Sequence, residues 1–177
     1  HFRSALGALA ALIFALCAPA ALAQLSIEIT GAGGNRIPIA IAPFAGEAAL
    51  SAGFSGIVRA DLERSGLFRS LEIPYAATPY SEVSPVNFGE WRSRLADALV
   101  QGSVVVLPDG RIEARFRLYD VVKQAEIGGV AYTVSRGDVR VAAHRISDYV
   151  YQKLTGERGV FSTRIAYVVK QNGRFEL

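Results

Sequence analysis

The feature that most constrains this chain lies near its C-terminus, where a helical repeat of apolar residues changes to a strand-like alternation. Apolar residues recur at intervals of three and four over Val139–Leu154, which predicts a helix with one buried face. Asp138 is the expected N-cap of this helix, and Gly156 is the residue type that usually ends one. Apolar residues then alternate over Ile165–Val169, and only a short tail comes after that strand to pair with it.

The residues before this helix predict a sheet that is covered by helices. The predicted strands are Ile37–Phe44, Leu67–Ile73, Ala98–Leu107, Arg111–Val121 and Glu126–Ser135. Ser51–Ser65 has helical periodicity and separates the first two strands, which indicates a βαβ unit with parallel strands. Asn87 is the expected cap of a short helix, Phe88–Leu95. The sequence therefore predicts an α/β fold with a mixed β-sheet and two main helices packed on it.

Residues 1–23 have the features of a secretory signal peptide. Arg3 precedes the apolar run Ala5–Leu16, and Ala21-Leu22-Ala23 is an A-x-A cleavage site. This order of charge, apolar run and small residues disfavours the alternative, a buried N-terminal helix. The one cysteine, Cys17, lies in this segment, so the mature chain from Gln24 forms no disulfide or thiolate metal site. Export without disulfides favours the periplasm of a Gram-negative bacterium.

A short alternating segment begins the mature chain. Its apolar residues are Leu25, Ile27 and Ile29, and its polar residues are Ser26, Glu28 and Thr30. Gly31–Asn35 comes next as a flexible tether. Such a segment is either an edge strand of its own sheet or a detachable strand that pairs with a partner's sheet. The residues alone favour the edge strand, because most short terminal strands stay with their own domain.

The sequence shows no set of residues with the spacing of a catalytic or metal site. His144 is the one histidine of the mature chain, and helical geometry predicts that it faces away from the apolar side of its helix. We therefore expect an exposed surface histidine with Asp148 as its helical neighbour. Gly53–Ile57 lacks the pattern of a nucleophile elbow, and Gly31–Gly34 lacks that of a phosphate-binding loop.

Two further groups of charged residues also have ordinary interpretations. Asp61 and Glu63 lie two apart on a predicted helix and point in different directions, so they are no acid–base pair. Arg115, Arg117 and Tyr119 share one face of a predicted strand, where a solvated face explains them better than an RNA-binding surface does. We expect no enzymatic activity, no cofactor and no metal.

Several segments carry a resemblance to a known family. Lys153–Val169 contains the pattern K-L-T-G-x-x-G-x-F-x-T-R-I-A-Y-V. Four further segments match in the same order: Ile37–Phe44 (IPIAIAPF), Ala60–Phe68 (ADLERSGLF), Asp97–Val104 (DALVQGSV) and Ser147–Gly156 (SDYVYQKLTG). Together they resemble the TolB family, the periplasmic component of the Tol–Pal system. The resemblance covers most of the mature chain.

The resemblance implies a domain organisation and partners. Residues 24–35 would form a partner-binding tail and tether, 36–160 the α/β domain, and 161–177 a linker with the first strand of a truncated β-propeller. In TolB-like proteins the tail binds TolA and the propeller binds the lipoprotein Pal. The resemblance thus implies that Leu25–Thr30 bind a TolA-like protein, with Leu25, Ile27 and Ile29 in contact. It also implies that Ile165, Tyr167 and Val169 are poorly packed without the rest of the propeller.

The implied function is a non-enzymatic periplasmic scaffold that supports outer-membrane integrity and cell division. The alternative is a stand-alone periplasmic α/β domain that binds a small ligand or an envelope polymer. A series of blade-like repeats downstream of Leu177 would favour the scaffold, and an early stop codon would favour the alternative.

Overall fold

The computed structural model describes residues 36–50, 53–73, 80–163, 169–171 and 174–176. Its main sheet has five strands: β1 (Ile37–Ile41), β2 (Phe68–Leu71), β3 (Ala98–Val106), β4 (Ile112–Asp120) and β5 (Ala125–Val134). Its helices are α1 (Phe54–Arg64), α2 (Phe88–Ser93) and α3 (Val139–Thr155). Short 3-10 turns occupy Glu47–Ala49 and Arg136–Asp138.

The strands form a mixed sheet in the order β2-β1-β3-β4-β5. β1 is parallel to both of its neighbours, because α1 carries the chain from the end of β1 back to the start of β2. β3, β4 and β5 then form an antiparallel meander through short turns. The predicted fold, a mixed sheet with helices packed on it, is confirmed.

Helices α1 and α3 pack together on one face of the sheet. The stripe predicted from the sequence is the buried side of α3, with Val139, Ala142, Ala143, Ile146 and Val150 inside the core. On the sheet, alternate β4 residues meet them: Ile112, Ala114, Phe116 and Leu118 are all buried. The apolar residues that recur every second position on β4 and every three or four positions on α3 therefore form one core.

Helix α3 begins and ends at the residues predicted from the sequence. Gly156 ends the helix with a φ of 82°, the left-handed conformation that favours glycine, and its N–H donates to the carbonyl oxygen of Gln152. Asp138 is the N-cap residue as predicted, but its side chain makes no capping hydrogen bond. Its carboxylate instead accepts a hydrogen bond from the Ser135 hydroxyl, within the turn that leads into the helix.

The opposite face of the sheet is covered over part of its area by α2 and its flanking segments. Trp91 from α2 lies at the centre of this second cluster and is 2% exposed. Its other buried members are Ala40, Ala96, Leu99, Tyr119 and Val121. Asn87 caps α2 as predicted, because its Oδ1 accepts a hydrogen bond from the Glu90 N–H at 3.2 Å.

Replacing Asn87 with alanine is expected to lower the free energy of unfolding by about 1 kcal/mol, because an N–H at the helix start loses its acceptor. Chemical denaturation monitored by circular dichroism measures this change. Asn87→Asp is the matched variant, since a carboxylate accepts the same bond, and it should unfold within about 0.5 kcal/mol of the wild type. An alanine variant as stable as the wild type would contradict a role for this cap.

The C-terminal residues form a separate two-stranded sheet of β6 (Val169–Gln171) and β7 (Arg174–Glu176). Val169 pairs with Glu176, so the short tail after the predicted strand is long enough for a hairpin. Residues 164–168 and the side chains of this hairpin lie outside the described part of the chain. The expectation that Ile165, Tyr167 and Val169 are poorly packed stays a prediction.

Candidate functional site

The tail predicted to bind a partner comprises Leu25, Ser26, Ile27, Glu28, Ile29 and Thr30, and all of these residues lie outside the described ones. The described residues begin at Arg36, immediately before β1. β1 is already paired on both sides, since β2 and β3 are its neighbours. Among the described strands, β2 and β5 lie at the two edges of the main sheet and β1 lies inside it.

Exposed apolar side chains lie at the end of the sheet where the chain enters β1. Register places the starts of β1, β2 and β3 and the finish of β4 at this end. Leu67, Leu95 and Val122, each within three residues of one of these strand ends, are 43%, 71% and 60% exposed. The chain therefore enters β1 close to these three exposed apolar side chains.

A buried carboxylate connects the two long helices. Asp61 on α1 is 3% exposed and faces α3. Its Oδ2 accepts a hydrogen bond from the Ser147 hydroxyl at 2.8 Å and lies 2.6 Å from Nδ1 of His144. Its Oδ1 is 3.2 Å from the guanidinium of Arg64, which is largely exposed. The carboxylate is thus surrounded by donors, as a buried charge requires.

This cluster corrects two predictions. His144 is not an exposed surface histidine, because its side chain is 22% exposed and hydrogen-bonds across the helix pair. Asp148 is not its partner, because both Asp148 oxygens bond residues that come after α3. The sequence held one signal for Asp61: it lies on the same helical side as Phe54, Val58 and Leu62, where an acid needs buried partners.

The geometry around Asp61 does not form a hydrolytic site. In a catalytic triad the histidine accepts the serine proton, whereas here Asp61 accepts from both Ser147 and His144. The Ser147 hydroxyl also lies 3.2 Å from the Ala143 carbonyl oxygen, inside its own helix. Among the described residues, no three His, Cys, Asp or Glu side chains are grouped to hold a metal. The cluster links α1 to α3.

The strand face that carries Arg115, Arg117 and Tyr119 is less exposed and less basic than its sequence indicates. Arg115 forms an ion pair with Glu113 at 2.6 Å, and Arg117 forms one with Glu126 on β5. The hydrogen bond from Arg117 to Glu126 raises the pKa of Arg117. Tyr119 is buried against Phe88, which corrects its predicted exposure, and this burial raises its pKa. Arg115 and Arg117 are thus each paired with an acidic side chain, which favours the ordinary interpretation over an RNA-binding surface.

Asp148 holds the segment that comes after α3. Its carboxylate accepts hydrogen bonds from the N–H groups of Phe161 at 2.7 Å and Ser162 at 3.1 Å, and from the Ser162 hydroxyl. A cavity of about 210 Å³ lies beside these bonds and includes Arg145, Arg158 and Tyr132 in its lining. Burial raises the pKa of Tyr132, against the opposing effect of Arg145. These contacts fall just beyond the domain boundary predicted at residue 160.

Within the described ranges, no helix combines the length and the apolar character needed to cross a membrane.

One known protein family matches more than half of this chain. The model of the TolB amino-terminal domain matches residues 25–127, more than half of the sequence. The chain belongs to the TolB family. Two curated relatives, both called "Tol-Pal system protein TolB", are 55% identical over 157 residues in Dechloromonas aromatica and 48% identical over 175 residues in Polaromonas naphthalenivorans. The matches cover 89% and 99% of this chain but 36% and 40% of those relatives, so the chain spans well under half of their length.

A solved structure of the same family has the same fold. TolB from Acinetobacter baumannii superposes with a TM-score of 0.64 at 34% sequence identity. The superposition covers 77% of this chain and 33% of the other. The resemblance to the TolB family that the colinear segments indicate, from Ile37–Phe44 to Ser147–Gly156, is therefore confirmed.

Proposed function

We propose that this chain is the N-terminal part of a non-enzymatic scaffold of the Tol–Pal system in the periplasm. The observation that carries the proposal is the family match over residues 25–127, which includes the tail from Leu25 and the sheet domain as far as the start of β5. The sheet domain would hold the tail as a folded scaffold. Its buried cluster of Asp61, His144 and Ser147 links two helices and does not have the geometry of a catalytic site. Cleavage after residue 23 would free the tail at Gln24.

The proposed partner of the tail is a TolA-like inner-membrane protein. Leu25, Ile27 and Ile29 would place their side chains on one side of an added strand, and backbone hydrogen bonds would supply much of the affinity. Because β1 is paired on both sides, the main sheet does not require the tail beside that strand. The Gly31–Asn35 tether lets the tail reach a partner without disturbing the domain.

The second proposed partner is a Pal-like outer-membrane lipoprotein, which would bind the propeller of the complete protein. The curated relatives are long enough for such a second domain, since this chain spans only 36–40% of them. A scaffold that binds proteins of both membranes would support outer-membrane integrity and cell division. Residues 161–177 would be the linker and first propeller strand in this arrangement.

Removing the tail is expected to abolish or weaken binding to the C-terminal domain of the TolA-like partner. Isothermal titration would compare the mature chain from Gln24 with a chain from Arg36, and we expect about a tenfold or greater loss of affinity. Both chains should give the same circular dichroism spectrum, because the described strands begin at Ile37. Equal affinities would exclude the tail as the binding segment.

Point variants separate the two faces of the tail. Ile27→Asp places a charge on the apolar face and should reproduce the effect of truncation. Glu28→Ala changes the opposite face at the neighbouring position, so its affinity should stay within about threefold of the wild type. If Glu28→Ala is the more damaging change, the assignment of the two faces is wrong.

A further inference from the structure

Residues 156–163 have the composition of a flexible link. Glycines occur at positions 156 and 159, and Glu157 and Arg158 are exposed. A short segment of this composition normally lets the parts it joins reorient freely. The structure shows a different arrangement, because the second half of this segment is attached to α3 at several points.

The first attachment is electrostatic and involves Asp148 near the middle of α3. Its Oδ1 accepts the Phe161 N–H at 2.7 Å, and its Oδ2 accepts the Ser162 N–H at 3.1 Å together with the Ser162 hydroxyl. A charged acceptor makes these hydrogen bonds stronger than bonds between neutral groups. Two consecutive backbone N–H groups are therefore fixed to one helical side chain.

The second point of contact is a close approach of the backbone at Gly159 to α3, and the third is the packing of the Phe161 ring on Tyr151. Gly159 is buried so close to α3 that a Cβ placed on it would lie 2.5 Å from the Asp148 Cα. Phe161 packs edge-to-face on Tyr151, with ring centroids 5.7 Å apart, and Tyr151 in turn packs against Phe68 of β2. The Thr163 N–H and hydroxyl both donate to the Val160 carbonyl oxygen and close the turn.

We propose that Asp148 is a clamp that makes residues 159–163 part of the domain, so that the polypeptide beyond them leaves from a fixed point at Thr163. The clamp fixes a glycine-containing link to the sheet domain as far as Thr163. This role does not depend on which partner the N-terminal tail binds. It is distinct from general stabilisation, because within the described ranges the side-chain hydrogen bonds of Asp148 go to Phe161 and Ser162, beyond the helix.

The test is amide hydrogen exchange on the full chain and on Asp148→Ala. Loss of the carboxylate should speed exchange at Phe161 and Ser162 by about tenfold or more, because local opening of the turn becomes easier. Exchange at Leu99 and Val100, in the middle of the sheet, should stay within about twofold of the wild type. Trypsin cleavage after the exposed Arg158 should accelerate by a similar factor, about tenfold.

Two further variants provide a control for Asp148→Ala and a second way to disturb the clamp. Gln152→Ala changes an exposed residue one turn further along the same helix and should leave all four exchange rates unchanged. Gly159→Ala leaves Asp148 intact but displaces the backbone from it, and should speed exchange at Phe161 and Ser162 as Asp148→Ala does. Unchanged exchange at these amides in Asp148→Ala would overturn the clamp. An equal acceleration at Leu99 and Val100 would also overturn it, since Asp148 would then support the whole fold.

Discussion

Replacing Asp61 with alanine is expected to lower the free energy of unfolding by about 2–4 kcal/mol. The substitution removes the shared acceptor of His144 and Ser147 at the interface of α1 and α3. His144 Nδ1 then has no replacement acceptor on α1, and a small cavity forms beside it. The Ser147 hydroxyl keeps its contact with the Ala143 carbonyl oxygen, and Arg64 is solvated, so neither adds much to the loss.

A double-mutant cycle assigns this loss to the pair that causes it. His144→Ala leaves the buried carboxylate with fewer donors and should itself cost about 1–3 kcal/mol. If the two side chains act through one hydrogen bond, the double variant should lose about 1–2 kcal/mol less free energy of unfolding than the two single variants lose together. Urea denaturation monitored by circular dichroism provides all of these values.

Glu63→Ala is the matched control for Asp61→Ala. Glu63 lies two residues further on the same helix and is exposed, so its loss should change the free energy of unfolding by no more than about 0.5 kcal/mol. Asp61→Asn should fall between the control and Asp61→Ala, because an amide oxygen accepts hydrogen bonds but carries no charge. A cost for Asp61→Ala that equals that of Glu63→Ala would show that the cluster contributes nothing to stability.

The elements of the fold were predictable because local patterns determine them. The apolar stripe of Val139–Leu154 and the alternation of Ile112–Leu118 each require one buried face, and the structure packs these faces together. The parallel pairing of β1 and β2 also results from local order, since a helix between two strands returns the chain to the same end. Gly156 and Asn87 predicted helix ends because glycine favours the left-handed conformation and the asparagine side chain accepts an N–H at a helix start.

The predictions that failed concern side chains whose partners are distant in the sequence. His144 pairs with Asp61, 83 residues away, and helical periodicity says nothing about a second helix packed alongside. The alternation of its strand predicts an exposed Tyr119, yet the segment around α2 covers that part of the sheet. Asp148 binds residues beyond its own helix, where the sequence pattern offered only its helical neighbour.

Functional assignment depends on a different kind of information. No constellation of side chains in the described structure indicates a reaction, and the tail that we propose to bind a partner lies outside those residues. Short colinear segments such as Ala60–Phe68 and Asp97–Val104 indicated the TolB family, and the family match over residues 25–127 established it. Physical patterns thus predicted the fold, whereas similarity to known proteins established the family.

Replacing Trp91 with alanine is expected to lower the free energy of unfolding by about 3–5 kcal/mol, because a large buried ring leaves a cavity. Trp91 is 2% exposed and holds α2 on the sheet. Its ring packs against Tyr80, with centroids 5.6 Å apart, and the Arg94 guanidinium lies 5.8 Å from its centroid. Urea denaturation followed by circular dichroism measures the change, since Trp91 is the one tryptophan of the chain and its variants lose that fluorescence.

Two comparisons test whether the cluster around Trp91 is part of the same cooperative unit as the main core. In the wild type, the transitions seen by Trp91 fluorescence and by circular dichroism should coincide, because Leu99 and Tyr119 place the cluster directly on the sheet. Val83→Ala, at a side chain 78% exposed in the neighbouring loop, should cost no more than about 0.5 kcal/mol. A fluorescence transition at lower urea, or a loss below about 1 kcal/mol for Trp91→Ala, would mean that α2 is only loosely attached and that the α1–α3 face alone stabilises the domain.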